Sequence, residues 1–461
     1  MTTHLTAPTG TRTDVAPIQR RTLRLLFATQ IIGGIGVTIG ISVGALLAQR
    51  IAGAAVAGLT QSAAVVGGAL LAVPITRVMS GYGRRPGLVL AYLTGAVGGV
   101  LVVAAAAARS VPLLFVGMLL FGGGSAANLQ ARYAAVDLAD PTRRGRQLSL
   151  IVWATTIGAV AAPNFAALAD ATTGRWGLPA LAGPFAFSAV AFVLAAVVLF
   201  ALLRPDPLLT ARRLAAAGPP PPADADAPPS SAPTGPAGVP VAPGPATASA
   251  SGGPAARPRA AGLRSAWRTV RQRPAARLAI VAVAVGHLVM IAVMAMTPVR
   301  LGEYHHDADV LRVVGIVLSL HIAGMYAFAP VVGWLTDRIG RRPVILAAAG
   351  VLLAACAVAG TAGHHTGPLS VGLVLLGLGW SGTMVAGSTL LSESVPVAER
   401  PTVQGLSDLT MGLAGAVAGA ASGFVMQVAG YPVLTLLAAV AVTPLVALAL
   451  RPAATGTPQT K

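Results

Sequence analysis

Two pairs of sulfur- and imidazole-bearing side chains recur at helical spacing in the second half of the 461-residue chain. Met290 and Met294 are four residues apart, and so are His321 and Met325. Side chains at this spacing share one face of a helix. Thioether and imidazole groups are soft ligands that favour Cu(I) over hard cations such as Mg²⁺. The four residues therefore predict a site for a soft metal ion, with copper as the expected substrate.

His287 and Met296 flank the first pair, and we expect them to be auxiliary ligands. A histidine inside an apolar segment favours this hypothesis, because its ring nitrogens need partners. Ordinary helix packing is the alternative for the methionines. The ten methionines are not an excess, although four of them lie in these segments. The connections that carry His305-His306-Asp307 and His364-His365 either collect a cation at the entrance or are solvated turns.

The elements that must position these residues are long apolar segments. Hydrophobic residues make up 55% of the chain and charged residues only 10%, whereas soluble domains are about one quarter charged. A helix that spans a membrane needs about 20 mostly apolar residues. Twelve such segments are present, near 23–48, 55–79, 87–107, 112–135, 147–170, 179–203, 275–299, 311–336, 343–362, 368–392, 402–427 and 431–450.

Arginines are concentrated in alternate connections between these segments. The arginine-rich connections hold Arg77, Arg84, Arg85, Arg143, Arg144, Arg146, Arg338, Arg341, Arg342 and Arg400. Because basic residues favour the cytoplasmic side, this pattern predicts a cytoplasmic-membrane protein with both termini in the cytoplasm. The net charge of +18 is then loop charge, and we expect no nucleic-acid partner.

The segments form two sets of six, which predicts two helical bundles at 23–203 and 274–451. Residues 1–22 and 452–461 are expected to be cytoplasmic tails. Residues 204–273 join the bundles, and their stretch 219–258 is dominated by Pro, Ala, Gly and Ser. Such a composition predicts a largely disordered linker. The basic end of the linker, 264–273, predicts a surface helix on anionic lipid headgroups.

A short arginine motif occurs once in each bundle. Gly83-Arg84-Arg85-Pro86 follows the second segment, and Gly340-Arg341-Arg342-Pro343 follows the eighth. Equivalent connections six helices apart indicate a duplicated six-helix unit.

The second copy extends back to Gly333 as Gly-Trp-Leu-Thr-Asp-Arg-Ile-Gly-Arg-Arg. This stretch resembles the loop motif G-x-x-x-D-R-x-G-R-R of the major facilitator superfamily. The resemblance implies an all-α membrane protein with twelve transmembrane helices in two six-helix, pseudo-symmetric halves, working by alternating access. The residues that then control the conformational change are Gly333, Asp337, Arg338, Gly340, Arg341 and Arg342, with Gly83, Arg84 and Arg85 in the first half.

The physical logic of the motif is that Gly333 lets two helices pack closely, while Asp337 faces the positive N-terminus of a neighbouring helix. The first half departs from the motif, because Ser80 and Gly81 stand where the repeat predicts Asp and Arg.

The M-x-x-x-M and H-x-x-x-M pairs on consecutive segments also resemble the CcoA-like copper transporters of this superfamily. The matching residues are Met290, Met294, His321 and Met325, and the contexts Met296-Thr297-Pro298 and Asn128-Leu129-Gln130-Ala131-Arg132-Tyr133 are similar too. The resemblance implies copper uptake into the cytoplasm.

Two other functions stay open. Gly158 to Asn164 loosely resembles a signature of drug:proton antiporters, which favours an efflux carrier for drugs or other small apolar compounds. Asp170, Glu393 and Asp408 lie toward segment ends, which disfavours an organic-cation antiporter. A non-transporting membrane sensor is the second alternative. No catalytic motif such as H-E-x-x-H is present. We thus expect that the protein is not an enzyme and has no permanently bound cofactor. We expect a monomer whose partners are the bilayer and a small substrate.

Overall fold

The computed structural model describes residues 15–52, 54–175, 177–216, 262–303 and 308–451, and these residues form helices and short connections. The first half contains α1 (Val15–Ala52), α2 (Ala54–Tyr82), α3 (Arg84–Ala108), α4 (Val111–Ala134), α5 (Arg144–Gly174), α6 (Gly183–Leu202) and the short α7 (Pro207–Ala216). The second contains α8 (Leu263–Gln272), α9 (Pro274–Gly302), α10 (Ala308–Tyr326), α11 (Ala329–Ile339), α12 (Arg341–Thr361), α13 (Thr366–Ser394), α14 (Arg400–Val440) and α15 (Thr443–Leu450).

These helices make twelve crossings, which confirms the predicted fold class. Helices α10 and α11 form one crossing, interrupted just before Pro330, whose ring cannot continue a helix. Helix α14 contains one complete crossing and then reverses at Gly430, where φ is +78°. Its last residues and α15 form the twelfth crossing. Within the described residues, nine continuous stretches are long and apolar enough to span a membrane, and one of them contains the reversal at Gly430.

Two boundaries differ from the sequence prediction, at the start of α1 and at α7, whereas α8 lies where a surface helix was expected, at 264–273. Helix α1 begins at Val15 and not near residue 23, because Gln19 anchors the additional turns by donating to the carbonyl oxygen of Ala135 at 2.6 Å. The two ends of the predicted linker form α7 and α8. Helix α8 buries Ala266 and Val270 against the bundle and exposes Trp267, as a surface helix does. The proline-rich stretch 219–258 lies outside the described residues.

Both copies of the arginine motif lie at one end of the bundle, where α2 ends and α3 begins and where α11 ends and α12 begins. We call this the basic end. The halves meet there through α2 against α14 and α5 against α11. Glycines permit the approach, since a Cβ atom on Gly333 would collide with the Gly145 carbonyl oxygen and one on Gly412 would collide with Ala69.

Candidate functional site

A buried ion pair joins the two halves between α4 and α14. Arg132 Nη2 lies 2.6 Å from Asp408 Oδ1, and both residues are only 2% exposed. Gln130 of α4 donates to the other carboxylate oxygen at 2.7 Å. Asp408 lies about 12 Å along α14 from its first residue, at about 1.5 Å per residue. The carboxylate therefore lies inside the bundle, and its partner comes from the opposite half.

Sequence reasoning had placed Asp408 toward the end of a segment and had assigned Arg132 no function. The signal that could have found them is that each is a charged residue within an apolar span, which is a functional candidate by default.

An aromatic and imidazole group lies midway along three helices of the second half. Trp380 of α13 donates its Nε1 proton to Nδ1 of His287 on α9 at 3.2 Å. The rings of Trp380 and Tyr326 meet edge to face with centroids 5.6 Å apart. The positive charge of Arg132 acts on both His287 and Tyr326. This group therefore lies within electrostatic range of Arg132 in the first half.

The predicted ligands His321 and Met325 lie on the face of α10 that packs against α13. His321 is fully buried, and its Nδ1 lies 2.8 Å from the carbonyl oxygen of Leu373. Because a carbonyl oxygen can only accept, Nδ1 carries the proton and the lone pair is on Nε2. Nε2 is buried and has no hydrogen-bond partner among the described residues. Met325 lies one turn further along the helix and is 7% exposed.

The other predicted ligands lie on α9, which packs mainly on α13 and α14 and touches α10 at few points. Met290 is buried and Met294 and Met296 are half-buried, all in the hydrophobic core of the second half, to which Met325 also belongs. His287 bonds to Trp380. In the described part of the chain, no group of three His, Cys, Asp or Glu side chains converges on one point. Residues 304–307 lie outside the described residues.

Asp337, at the end of α11, lies at the N-terminus of α5 in the other half. Its two carboxylate oxygens accept hydrogen bonds from the backbone N–H groups of Gly145 and Arg146, each at 2.8 Å. Arg341 Nη2 lies 3.6 Å from the same carboxylate. A negative charge at this position interacts favourably with the α5 dipole.

The remaining motif residues hold the turns of the basic end in place. Arg84 forms a fully buried ion pair with Asp137 at 2.7 Å, and Arg341 pairs with Glu393 at 2.7 Å. Gly83 and Gly340 have φ values of 99° and 97°. The other three arginines contact an aromatic ring or a backbone carbonyl: Arg85 lies over Phe200, Arg338 over Trp334, and Arg342 donates to the carbonyl oxygen of Ala449.

Twelve crossings in two related halves, with charged contacts between the halves at one end, are typical of secondary membrane transporters. The model of the Major Facilitator Superfamily matches residues 25–313 and 310–461, and the chain belongs to this family.

Relatives from bacteria match nearly the whole chain. The MFS-type transporter YdeG of Bacillus subtilis is 35% identical over 422 residues, which cover 91% of this chain and 89% of YdeG. The riboflavin transporter RfnT of Brucella anthropi is 26% identical over 438 residues, covering 95% of this chain and 96% of RfnT. These relatives show a secondary transporter, and neither supports the CcoA-like copper subgroup.

Solved structures share the fold. The human organic anion transporter MFSD10 superposes with a TM-score of 0.64 at 14% identity, covering 94% of this chain and 99% of that chain. The E. coli fucose:proton symporter FucP superposes with a TM-score of 0.60 at 17% identity, covering 93% and 97%.

Proposed function

We propose that the protein carries a small organic molecule with a flat aromatic or heteroaromatic ring across the cytoplasmic membrane by alternating access. The group of His287, Tyr326 and Trp380 carries this proposal. The half-buried ring of Tyr326 at mid-depth provides a face for a planar ring, with the buried ring of Trp380 packed behind it. The hydrogen-bonded imidazole provides a polar contact. The charge of Arg132 beside them favours a substrate with electron-rich oxygen or nitrogen atoms.

The arginine pattern supports a cytoplasmic location for the basic end. In that orientation the described contacts between the halves, which lie from the basic end to mid-depth, close the cytoplasmic side. Opening toward the cytoplasm then requires the halves to separate at Arg132–Asp408 and at Asp337. The motif residues Gly333, Arg338, Gly340, Arg341 and Arg342, with Gly83, Arg84 and Arg85, position these contacts in the proposed gating mechanism.

Riboflavin is a suitable first probe, because the relative RfnT is named for it and its ring system is planar. We expect proteoliposomes that contain the wild-type protein to accumulate radiolabelled riboflavin or a similar heteroaromatic solute. Trp380→Ala is expected to reduce the rate at least tenfold, which is the loss of about 1.4 kcal/mol of ring contact. The matched control is Trp267→Ala on α8, where the ring is 58% exposed. Equal rates in both variants would exclude Trp380 from the site.

Copper is the second candidate, and one observation favours it. His321 donates from Nδ1 to a backbone carbonyl and keeps a bare Nε2, which is how metal-bound histidines are usually held. Met325 provides a thioether one turn away. In this hypothesis Met290 and Met294 of α9 complete the ligand set, with His287 and Met296 as auxiliary ligands, and α9 moves relative to α10 to bring them together.

Copper uptake by cells that express the wild type, Met294→Ala or His321→Ala tests this candidate. We expect both variants to lose uptake, while Met118→Leu, which changes a buried methionine in the first half, keeps it. Unchanged uptake in the two ligand variants would exclude the copper site. Stoichiometric Cu(I) binding without flux in proteoliposomes would instead indicate the sensor alternative.

A further inference from the structure

A cavity of about 930 Å³ opens at the basic end, separate from the central group of aromatic residues. The start of α1, the connection between α4 and α5, α7, and the residues before α14 form its walls. We propose that this cavity binds an anion that carries a phosphate group and that the bound anion holds the two halves together at this end.

Charge is the first argument for an anion. Arg20, Arg143, Arg144 and Arg400 line the cavity, together with two aspartates. Asp137 is neutralised by Arg84 in a fully buried pair, and Asp140 is exposed and bonded to Thr142. The lining therefore has an excess of positive charge, which attracts anions.

Arg400 is the second argument. The residue is 6% exposed, and its Nε donates to the carbonyl oxygen of Val395. Its terminal nitrogens have no hydrogen-bond partner in the part of the chain that the structure describes. The carboxylate of Asp137 favours the charge of Arg400, whereas the nearby charges of Arg144 and Arg84 oppose it. Arg144 Nη1 lies 3.7 Å from Glu393 Oε1, but its buried Nε has no hydrogen-bond partner among the described residues. Guanidinium groups bind phosphate oxygens through two parallel hydrogen bonds, which would satisfy these donors.

Helix N-termini add to the positive electrostatic potential of the cavity. Helix α5 begins at Arg144 and α14 begins at Arg400, and neither has an acidic residue in its first turn. Arginines at a helix N-terminus are unfavourable because the dipole is positive there. The Asp337 carboxylate already lies at the N-terminus of α5, so a bound anion would chiefly offset the positive charge at the start of α14.

The ligand would also bridge the two halves. Arg20, Arg143 and Arg144 belong to the first half, whereas Arg400 belongs to the second. An anion bound to both sets must be released before the basic end can open. The volume lies within the range of about 300–1,000 Å³ that is typical of small-molecule sites. The apolar residues Leu23, Leu214 and Val397 leave room for a ring or an acyl chain beside the phosphate.

The first arm of the test uses inorganic pyrophosphate and the purified full chain in an uncharged detergent. Calorimetric titration is expected to show saturable binding. Arg143→Gln, an exposed substitution that leaves packing intact, and Arg400→Gln are each expected to raise the Kd at least tenfold. The matched pair is Arg20→Gln, which removes a lining residue, and Arg24→Gln, which removes an exposed arginine one turn further along α1 that does not line the cavity. Only the first is expected to weaken binding.

The second arm identifies the source of the phosphate. The protein is placed in nanodiscs of phosphatidylcholine alone or with phosphatidylglycerol. If the anionic lipid abolishes pyrophosphate binding in the wild type, a lipid headgroup occupies the cavity. If pyrophosphate binds equally in both nanodiscs, the ligand is a free phosphate compound. Absence of saturable binding in detergent together with no effect of lipid overturns the proposal, and so does an equal loss in Arg24→Gln. Neither arm requires transport, so failure of the proposed substrate leaves this test intact.

Discussion

The two copies of the arginine motif have nearly the same backbone and different partners. In the first half, Arg84 pairs with Asp137, and both side chains are 0% exposed. In the second half, Arg341 pairs with Glu393, and the side chains are 17% and 22% exposed. The contacts across the halves also differ, since Arg84 Nη2 donates to the neutral side-chain oxygen of Gln404 on α14 at 2.6 Å. Asp337 brings a charge to the N-terminus of α5, whereas Ser80 brings only a hydroxyl to Thr402 at the start of α14.

This difference indicates that the two copies of the arginine motif have different roles. The buried pair in the first half is a fixed structural connection, because separating two dehydrated charges is costly. The second half holds its pair near water, where it separates easily, and places its unique acid against the opposite half. We infer that the first copy stabilises the fold and that the second copy controls opening.

The largest expected effect comes from the buried pair. Asp137→Asn leaves Arg84 charged and fully buried, and we expect a loss of about 3–5 kcal/mol in the free energy of unfolding. The equivalent Glu393→Gln should lose at most about 1 kcal/mol, since its pair is partly solvated. Thermal and denaturant unfolding of the purified variants measures both. Similar losses in the two variants would contradict the division between the copies.

The glycines of the two turns come next. Both have backbone angles that are essentially restricted to glycine, so alanine is strained at either position. A Cβ atom at Gly83 would also collide with the Asp206 carboxylate, whereas one at Gly340 meets only Pro343 Cδ at 3.7 Å. We expect Gly83→Ala to destabilise the protein by about 3 kcal/mol and Gly340→Ala by about 1–2 kcal/mol. The same unfolding measurements show which of the two variants loses more stability. A larger loss in Gly340→Ala than in Gly83→Ala would show that the Asp206 contact is unimportant.

Asp337 is expected to affect conformation more than stability. Asp337→Asn keeps the side-chain shape but removes the charge at the α5 N-terminus, which should favour opening of the basic end by about 1–2 kcal/mol. Spin labels at Arg213 and Ile339, in a Cys356→Ala background, report the distance between the halves. The control is Glu303→Gln, which removes an exposed acid that pairs with Arg300 within the second half. A distance distribution unchanged by Asp337→Asn would exclude a gating role.

The sequence predicted some of these features, and the reasons are physical. Apolar length and arginine placement determine the number of crossings and the two halves. The motif ending in Arg342 identified Asp337 as a residue that faces a helix N-terminus, because local spacing determines where it lies on its helix. The pairing of Arg132 with Asp408 could not be predicted, because the two residues are 276 positions apart. The periodicity of a sequence shows which side chains share one face of a helix, but it does not show which other helix packs against that face. The same limitation applies to His321, whose hydrogen bond to α13 depends on helix packing.

We expect the smallest effect from a substitution that introduces an acidic residue at position 80, the first-half equivalent of Asp337. Ser80 is 6% exposed, and its Oγ lies 2.9 Å from Thr402 Oγ1 in the first turn of α14, which has no acidic residue. Ser80→Asp would place a negative charge at this N-terminus, as Asp337 does for α5. We expect it to favour the closed basic end by about 0.3–1 kcal/mol.

The label pair at Arg213 and Ile339 measures the shift. Gly81→Asp is the matched control, since a side chain at Gly81 meets nothing within 4 Å and points to solvent. If Ser80→Asp opened the basic end, burial of the new carboxylate would outweigh its attraction to the helix. The absence of an acidic residue at position 80 would then follow from the packing of the helices and not from different roles of the two motif copies.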